Sequence, residues 1–137
     1  MTIRLLIADR QEMFREGLRS LLESEPDFTV VGETDDGERL VSLAVSEKPD
    51  VILMDLNLRK LPGIEALRGI SERTSALPLL LLDTMPNGDI LYALIRGARG
   101  VLKKSVAAPL LFKAVRAVAG GEYWLSHAGI RELVQNL

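Results

Sequence analysis

Five short apolar runs, each followed by a longer amphipathic segment, constrain this chain more than any other feature. The runs cover residues 3–8, 28–31, 51–54, 79–82 and 100–102. Their nearly continuous apolar character is typical of strands covered on both faces, as in a parallel sheet. The segments between them carry apolar residues at helical spacing and predict helices over 12–23, 37–47, 64–73, 87–96 (beginning at Asn87 or Asp89) and 110–119. Right-handed crossovers then give an α/β three-layer sandwich, a (βα)5 unit.

Local signals mark several ends of these elements. Asp36 is a good N-cap for the second helix, and Gly97 is a suitable stop for the fourth. Pro78 and the pair Pro49-Asp50 stand before two of the apolar runs, so the sequence predicts turns there.

The composition excludes several classes of protein. The chain has 137 residues, of which 47% are hydrophobic, and this suits one domain with a full core. It has no cysteine, so disulfide frameworks and thiolate metal sites are excluded. A net charge of -2 argues against broad binding to nucleic acid. No apolar run is long enough to span a membrane, and the first residues do not resemble a signal peptide, so we expect a cytoplasmic protein.

Charged residues stand where the apolar runs stop. Asp9, Asp55 and Asp83 end the first, third and fourth runs, and Lys103-Lys104 ends the fifth. The carboxyl ends of parallel strands form the edge at which ligands bind in an open α/β sheet. One such charge is usually an ordinary solvated loop residue, but three acids and a lysine together predict a site.

Neighbouring carboxylates repel each other and need a cation between them. Magnesium held by carboxylates, water and a phosphoryl group is one solution, and a lysine at the rim is another. Such a site suits phosphoryl transfer onto a carboxylate, and the central acid, Asp55, is the natural acceptor.

Four stretches carry a resemblance to a known family. They are "REGLRSLLESEPDFTVVGE" (15–33), "KPDVILMDL" (48–56), "RGARGVLKK" (96–104) and "AVRAVAGGEYWLS" (114–126). With them the chain resembles the receiver domain of bacterial two-component response regulators, and more narrowly the LuxR/NarL-type subfamily whose members carry a C-terminal helix-turn-helix. The resemblance covers nearly all of residues 3–126.

The resemblance implies a flavodoxin-like fold with strand order 2-1-3-4-5. It also implies that a sensor histidine kinase donates a phosphoryl group to Asp55, which Lys104 then contacts. Asp9, Asp55 and the backbone carbonyl of Asn57 correspond to the family's magnesium ligands.

The chain also departs from the family pattern. Arg10 stands where the family has a second metal-binding acid, and Gln11 follows where the subfamily usually has His. Asp83 replaces the family's Thr or Ser, and Thr84 follows one residue later, where it would point elsewhere if the strand continued. Val101 replaces an aromatic residue.

These departures lead to a hypothesis about the charges. A guanidinium stays protonated and fits a carboxylate bidentately, so we expect Arg10 to pair with Asp55 or Asp83 and to substitute in part for magnesium. A carboxylate at Asp83 would repel a phosphorylated Asp55. Binding of magnesium is therefore doubtful.

Two functions follow for a receiver domain over residues 1–121, with residues 122–137 as a linker or terminal helix. The first is a non-enzymatic receiver phosphorylated on Asp55 by a histidine kinase, which controls a LuxR-type transcription regulator. The second is an atypical receiver that acts by dimerisation or partner contacts without phosphorylation. A homodimer is possible in either case, and DNA contact is expected only through a C-terminal domain that is not among these residues.

Overall fold

The computed structural model describes residues 2–84, 89–126, 130–131 and 134–135. Five parallel strands form one sheet in the order β2-β1-β3-β4-β5, which confirms the predicted fold class and strand order. The strands are β1 (Ile3–Ala8), β2 (Phe28–Thr34), β3 (Val51–Met54), β4 (Leu77–Leu82) and β5 (Gly100–Lys103).

Five helices cover the two faces of this sheet. They are α1 (Glu12–Glu23), α2 (Gly37–Glu47), α3 (Gly63–Arg73), α4 (Asp89–Ile95) and α5 (Ala108–Ala119). Side chains alternate along each strand, so Leu5 and Ile7 pack with α1 and α5 in one hydrophobic cluster. Leu6 and Ala8 pack with α2, α3 and α4 in the other. This alternation between two buried faces produces the predicted three layers.

The predicted elements differ from the observed ones mainly at their ends. β4 begins at Leu77, so Pro78 lies inside the strand and the predicted turn before residue 79 is wrong. Pro78 lacks an N–H, but its carbonyl accepts from the backbone N–H of Arg99 at 2.8 Å, which keeps it in the sheet near the start of the strand. The predicted cap at Asp36 is confirmed, because its carboxylate accepts from the backbone N–H groups of Glu38 and Arg39. Asn87, the alternative start of α4, lies outside the described residues.

The segment after α5 returns to the sheet and lies along β5. The backbone N–H of Trp124 donates to the carbonyl of Arg99 at 2.9 Å, and the N–H of Val101 donates to the carbonyl of Trp124 at 3.0 Å. Gly100 makes this approach possible, because a Cβ there would lie 2.9 Å from the Trp124 carbonyl oxygen. Trp124 thus covers part of an edge strand that would otherwise expose unpaired backbone groups.

None of the helices in the described part of the chain is long and apolar enough to cross a membrane.

Candidate functional site

Four charged side chains meet at the carboxyl ends of β1, β3, β4 and β5. The Lys104 ammonium lies 2.7 Å from Asp9 Oδ2, 2.7 Å from Asp55 Oδ2 and 3.6 Å from Asp83 Oδ2. The topology brings these residues together, because β1 and β3 are neighbours and β4 and β5 continue the sheet on the same side. The predicted cluster is therefore present, and Lys104, not the exposed Lys103, is its cation.

Lys104 joins two carboxylates that are largely removed from water. The exposed fraction is 7% for the Lys104 side chain, 3% for that of Asp9 and 14% for that of Asp55. Burial alone would lower the pKa of Lys104, but the hydrogen bonds to Asp55 and Asp9, together with their charges, outweigh it and raise the pKa above its usual value. The ammonium therefore stays charged. Asp83 is different, with 64% of its side chain exposed.

The two Oδ1 atoms of Asp9 and Asp55 accept hydrogen bonds from backbone N–H groups, and the two Oδ2 atoms lie at ion-pair distance from Lys104. Asp9 Oδ1 accepts from the backbone N–H of Gln11 at 2.8 Å, and Asp55 Oδ1 accepts from the backbone N–H of Asn57 at 3.1 Å. Such pairing offsets the cost of burying the carboxylates and fixes their orientation.

Helix α1 and the residue before it supply contacts that the sequence analysis did not predict. Arg15, with 14% of its side chain exposed, donates to the backbone carbonyl of Asp9 at 2.7 Å and pairs with Glu33 at 3.4 Å. The side-chain carbonyl of Gln11 accepts from Lys104 at 3.1 Å, and the Phe14 ring centroid lies 4.7 Å from the same ammonium. The sequence signal that could have identified Gln11, Phe14 and Arg15 is their position just after Asp9, at the start of an amphipathic helix.

A cleft of about 430 Å³ opens beside the acceptor candidate. Its lining includes Asp55, Asn57, Asp83, Thr84 and Asp89. The expectation that Thr84 points elsewhere depended on continuation of the strand. Because β4 ends at Leu82, the alternation of strand side chains no longer applies at Thr84. Thr84 borders the same cleft as Asp55, so the condition on which it would point elsewhere is not met.

The predicted pairing of Arg10 with Asp55 or Asp83 is wrong. The exposed Arg10 guanidinium donates instead to the side-chain carbonyl of Asn57 at 3.4 Å, and no ion pair joins it to either acid in the described structure. Lys104 already lies against Asp55, and this explains why Arg10 remains at the rim.

Magnesium is the ion that the resemblance implies, and the residues do not fit it well. Asp9 and Asp55 already face Lys104, and Arg10 brings a further positive charge to their neighbour Asn57. Within the described ranges, no group of three His, Cys, Asp or Glu side chains is arranged to hold a metal ion.

Comparison with known proteins gives consistent matches. The family model described as response regulator receiver domain matches residues 5–116. The chain is 40% identical over 123 residues to the transcriptional regulatory protein DegU of Brevibacillus brevis, covering 88% of this chain and 52% of the relative. It is 41% identical over 121 residues to LiaR of Bacillus subtilis (strain 168), covering 88% and 57%. The chain thus spans about half the length of these curated relatives.

A solved structure is similar over nearly the whole chain. It is a two-component response regulator of the LuxR family from Aurantimonas sp. SI85-9A1, with a TM-score of 0.90 and 31% identity. The match covers 99% of this chain and 98% of that one.

Proposed function

The chain belongs to the response regulator receiver domain family, and from this premise we propose that Asp55 accepts a phosphoryl group from a sensor histidine kinase. The observation that carries this proposal is the position of Asp55, which lies between Lys104 and an open cleft. Lys104 holds one carboxylate oxygen, and the cleft gives a donor access from the other side.

The residues around Asp55 have distinct roles in this proposal. Lys104 supplies a fixed positive charge that can follow the oxygens of a transferred phosphoryl group. Thr84, at the edge of the cleft, offers a hydroxyl donor to the same group. Asp9 keeps Lys104 in place through the ion pair at 2.7 Å.

Phosphorylation would change the charge balance around Lys104. It would thereby shift the equilibrium between two conformations of the surface formed by α4, β5 and α5. Receiver domains of this family interact with histidine kinases, and they typically bind Mg²⁺ at the phosphorylation site. The named relatives are transcriptional regulatory proteins, so we further propose that this domain controls a transcription regulator and is not itself an enzyme. Contact with DNA would then belong to a region outside these 137 residues, and a homodimer is a further proposal.

A second function is favoured by Arg10 and Asp83. Both change the charge near Asp55 relative to the family pattern, and this supports an interaction module that works without phosphorylation. One experiment separates the two functions. The chain is incubated with a small acyl phosphate and, in parallel, with a phosphorylated histidine kinase, and intact mass is recorded.

The first function predicts a gain of one phosphoryl group that the Asp55→Asn variant does not show. Asp83→Asn is the matched control, because it removes an exposed carboxylate of the same cluster and should keep the mass gain. Unchanged mass with both donors, in a protein shown to be folded, would exclude the first function and leave the interaction module.

A further inference from the structure

We propose that Arg10 excludes divalent cations from the Asp55 site, so that Arg10 and Lys104 together supply the positive charge that a metal ion would bring. Exclusion of the cation follows from the geometry and charges alone. The consequence for phosphoryl transfer rests on the proposed function of Asp55.

The backbone position of Arg10 is fixed by hydrogen bonds of the residues on either side. The backbone N–H of Asp9 donates to the carbonyl of Thr34 at 3.0 Å, and Arg15 donates to the carbonyl of Asp9 at 2.7 Å. The backbone N–H of Gln11 is held by the Asp9 carboxylate at 2.8 Å. The backbone on both sides of Arg10 is therefore anchored, and its side chain starts at the rim of the carboxylate cluster.

From this rim the Arg10 guanidinium reaches the side chain of Asn57, which lies two residues after Asp55. Arg10 Nη1 lies 3.4 Å from Asn57 Oδ1, while the backbone N–H of Asn57 donates to Asp55 Oδ1 at 3.1 Å. One residue thus contacts both the guanidinium and the acceptor carboxylate. A cation that bound Asp55 from this side would approach Arg10 closely.

The charges of the cluster explain the exclusion. Asp9, Asp55 and Asp83 carry three negative charges, and Lys104 and Arg10 carry two positive ones, so one net negative charge remains. An acid at position 10 would leave three net negative charges instead. A hard dication is attracted by carboxylate oxygens and repelled by a guanidinium. Compared with an acid at position 10, Arg10 removes one attracting charge and adds one repelling charge, and both changes weaken the binding of a dication.

The same two cations suit the proposed transfer. A carboxylate oxygen of Asp55 forms a bond to phosphorus, and the bond from phosphorus to the donor's imidazole nitrogen breaks, leaving its electron pair on that nitrogen. The transferred group carries about two negative charges, which a guanidinium can bind through two parallel N–H groups and an ammonium as a point charge. Arg10 is therefore a specificity-determining residue that selects a metal-free route.

Calorimetric titration of magnesium chloride into the folded protein tests the exclusion directly. We expect Arg10→Asp to bind magnesium about 100-fold more tightly than the original chain, since it exchanges a repelling charge for an attracting one. Arg68→Asp is the matched control, because it makes the same change of charge on the exposed face of α3 and should not increase affinity. Equal affinity of the original chain and Arg10→Asp would overturn the proposal, as would an equal gain in Arg68→Asp.

Phosphorylation by a small acyl phosphate provides the second measurement. The original chain should be labelled on Asp55 at the same rate with magnesium and with EDTA. The labelling rate of Arg10→Asp should be at least about 10-fold lower in EDTA than in magnesium, because without the metal and the guanidinium the phosphoryl group is bound more weakly. Labelling of the original chain only with magnesium would overturn the proposal. Failure of labelling under every condition would instead refute the proposed function, and calorimetry would still decide whether Arg10 excludes the cation.

Discussion

Replacement of Lys104 by methionine should destabilise the domain strongly, because it leaves two neighbouring carboxylates without their cation. The side chains of Asp9 and Asp55 are only 3% and 14% exposed, and both lie 2.7 Å from the lysine ammonium. Removing one partner of a buried ion pair typically costs 3–5 kcal/mol, and the partial exposure of Asp55 favours the lower end, about 3 kcal/mol. This is a large share of the roughly 5–15 kcal/mol that stabilises an ordinary domain.

Urea unfolding followed by circular dichroism measures this loss. With a slope of about 2 kcal/mol/M for a domain of this size, the midpoint should fall by roughly 1.5 M. Lys103→Met is the matched control, because the neighbouring side chain is exposed and its loss should change stability by less than about 0.5 kcal/mol. If the free energy of unfolding of Lys104→Met differed from that of the original chain by less than about 0.5 kcal/mol, the carboxylates would have to be solvated. The buried ion pairs of the cluster would then be refuted.

The same variant makes a prediction for alkaline pH. The pKa of Lys104 is raised in the folded protein above the ordinary 10.5, because its hydrogen bonds to Asp55 and Asp9 outweigh the effect of burial. A raised pKa contributes stability that is fully present below 10.5 and is lost as pH rises through the folded-state value. The stability difference between the original chain and Lys104→Met should therefore narrow above pH 10.5, and a constant difference would contradict the assigned role of the ammonium.

Two further predictions concern other parts of the fold. Gly100→Ala should cost about 1–3 kcal/mol, because its Cβ would lie 2.8 Å from Leu79 and 2.9 Å from the Trp124 carbonyl oxygen. Gly17→Ala in α1, with nothing within 4 Å, should gain about 0.5–1 kcal/mol, and equal thermal midpoints for the two variants would refute this reading. Hydrogen bonds from Arg116 lower the pKa of Asp27 below the ordinary 3.8, so this carboxylate contributes stability above that pH that is lost on further acidification. Asp27→Asn should be less stable than the original chain at neutral pH, and acid titration of both should show the difference closing below pH 3.8.

The sequence predicted the fold and the carboxylate cluster because both depend on topology. Apolar runs covered on two faces require helices on both sides, and parallel strands bring their carboxyl ends to one edge. Asp9, Asp55 and Lys104 therefore start from the same edge of the sheet, within reach of one another. Three of the four predicted strand-end charges lie within 4 Å of the fourth, which is Lys104.

The sequence predicted less well those features that depend on where a strand begins or ends, or on how far a long side chain reaches. The direction of Thr84 could not be predicted, because it depended on whether the strand continued beyond Leu82, where it ends. The backbone bridge between Trp124 and β5 could not be predicted from periodicity, because a single bridging residue has no periodic pattern. A glycine at position 100 was its only signal, and glycine in a strand often marks close approach of another backbone.

Arg10 shows that the sequence can predict a cation near the carboxylates more easily than it can predict which carboxylate that cation pairs with. Its position beside the carboxylates follows from the sequence, but two cations compete for the same acids there. Lys104 starts at the end of β5 and reaches Asp55 from within the cluster, where water is excluded and the interaction is strong. Arg10 starts at the rim, where water already stabilises a guanidinium, so an ion pair would gain little there. The buried cation therefore takes the carboxylates, and the exposed one remains available for a charge that arrives from outside.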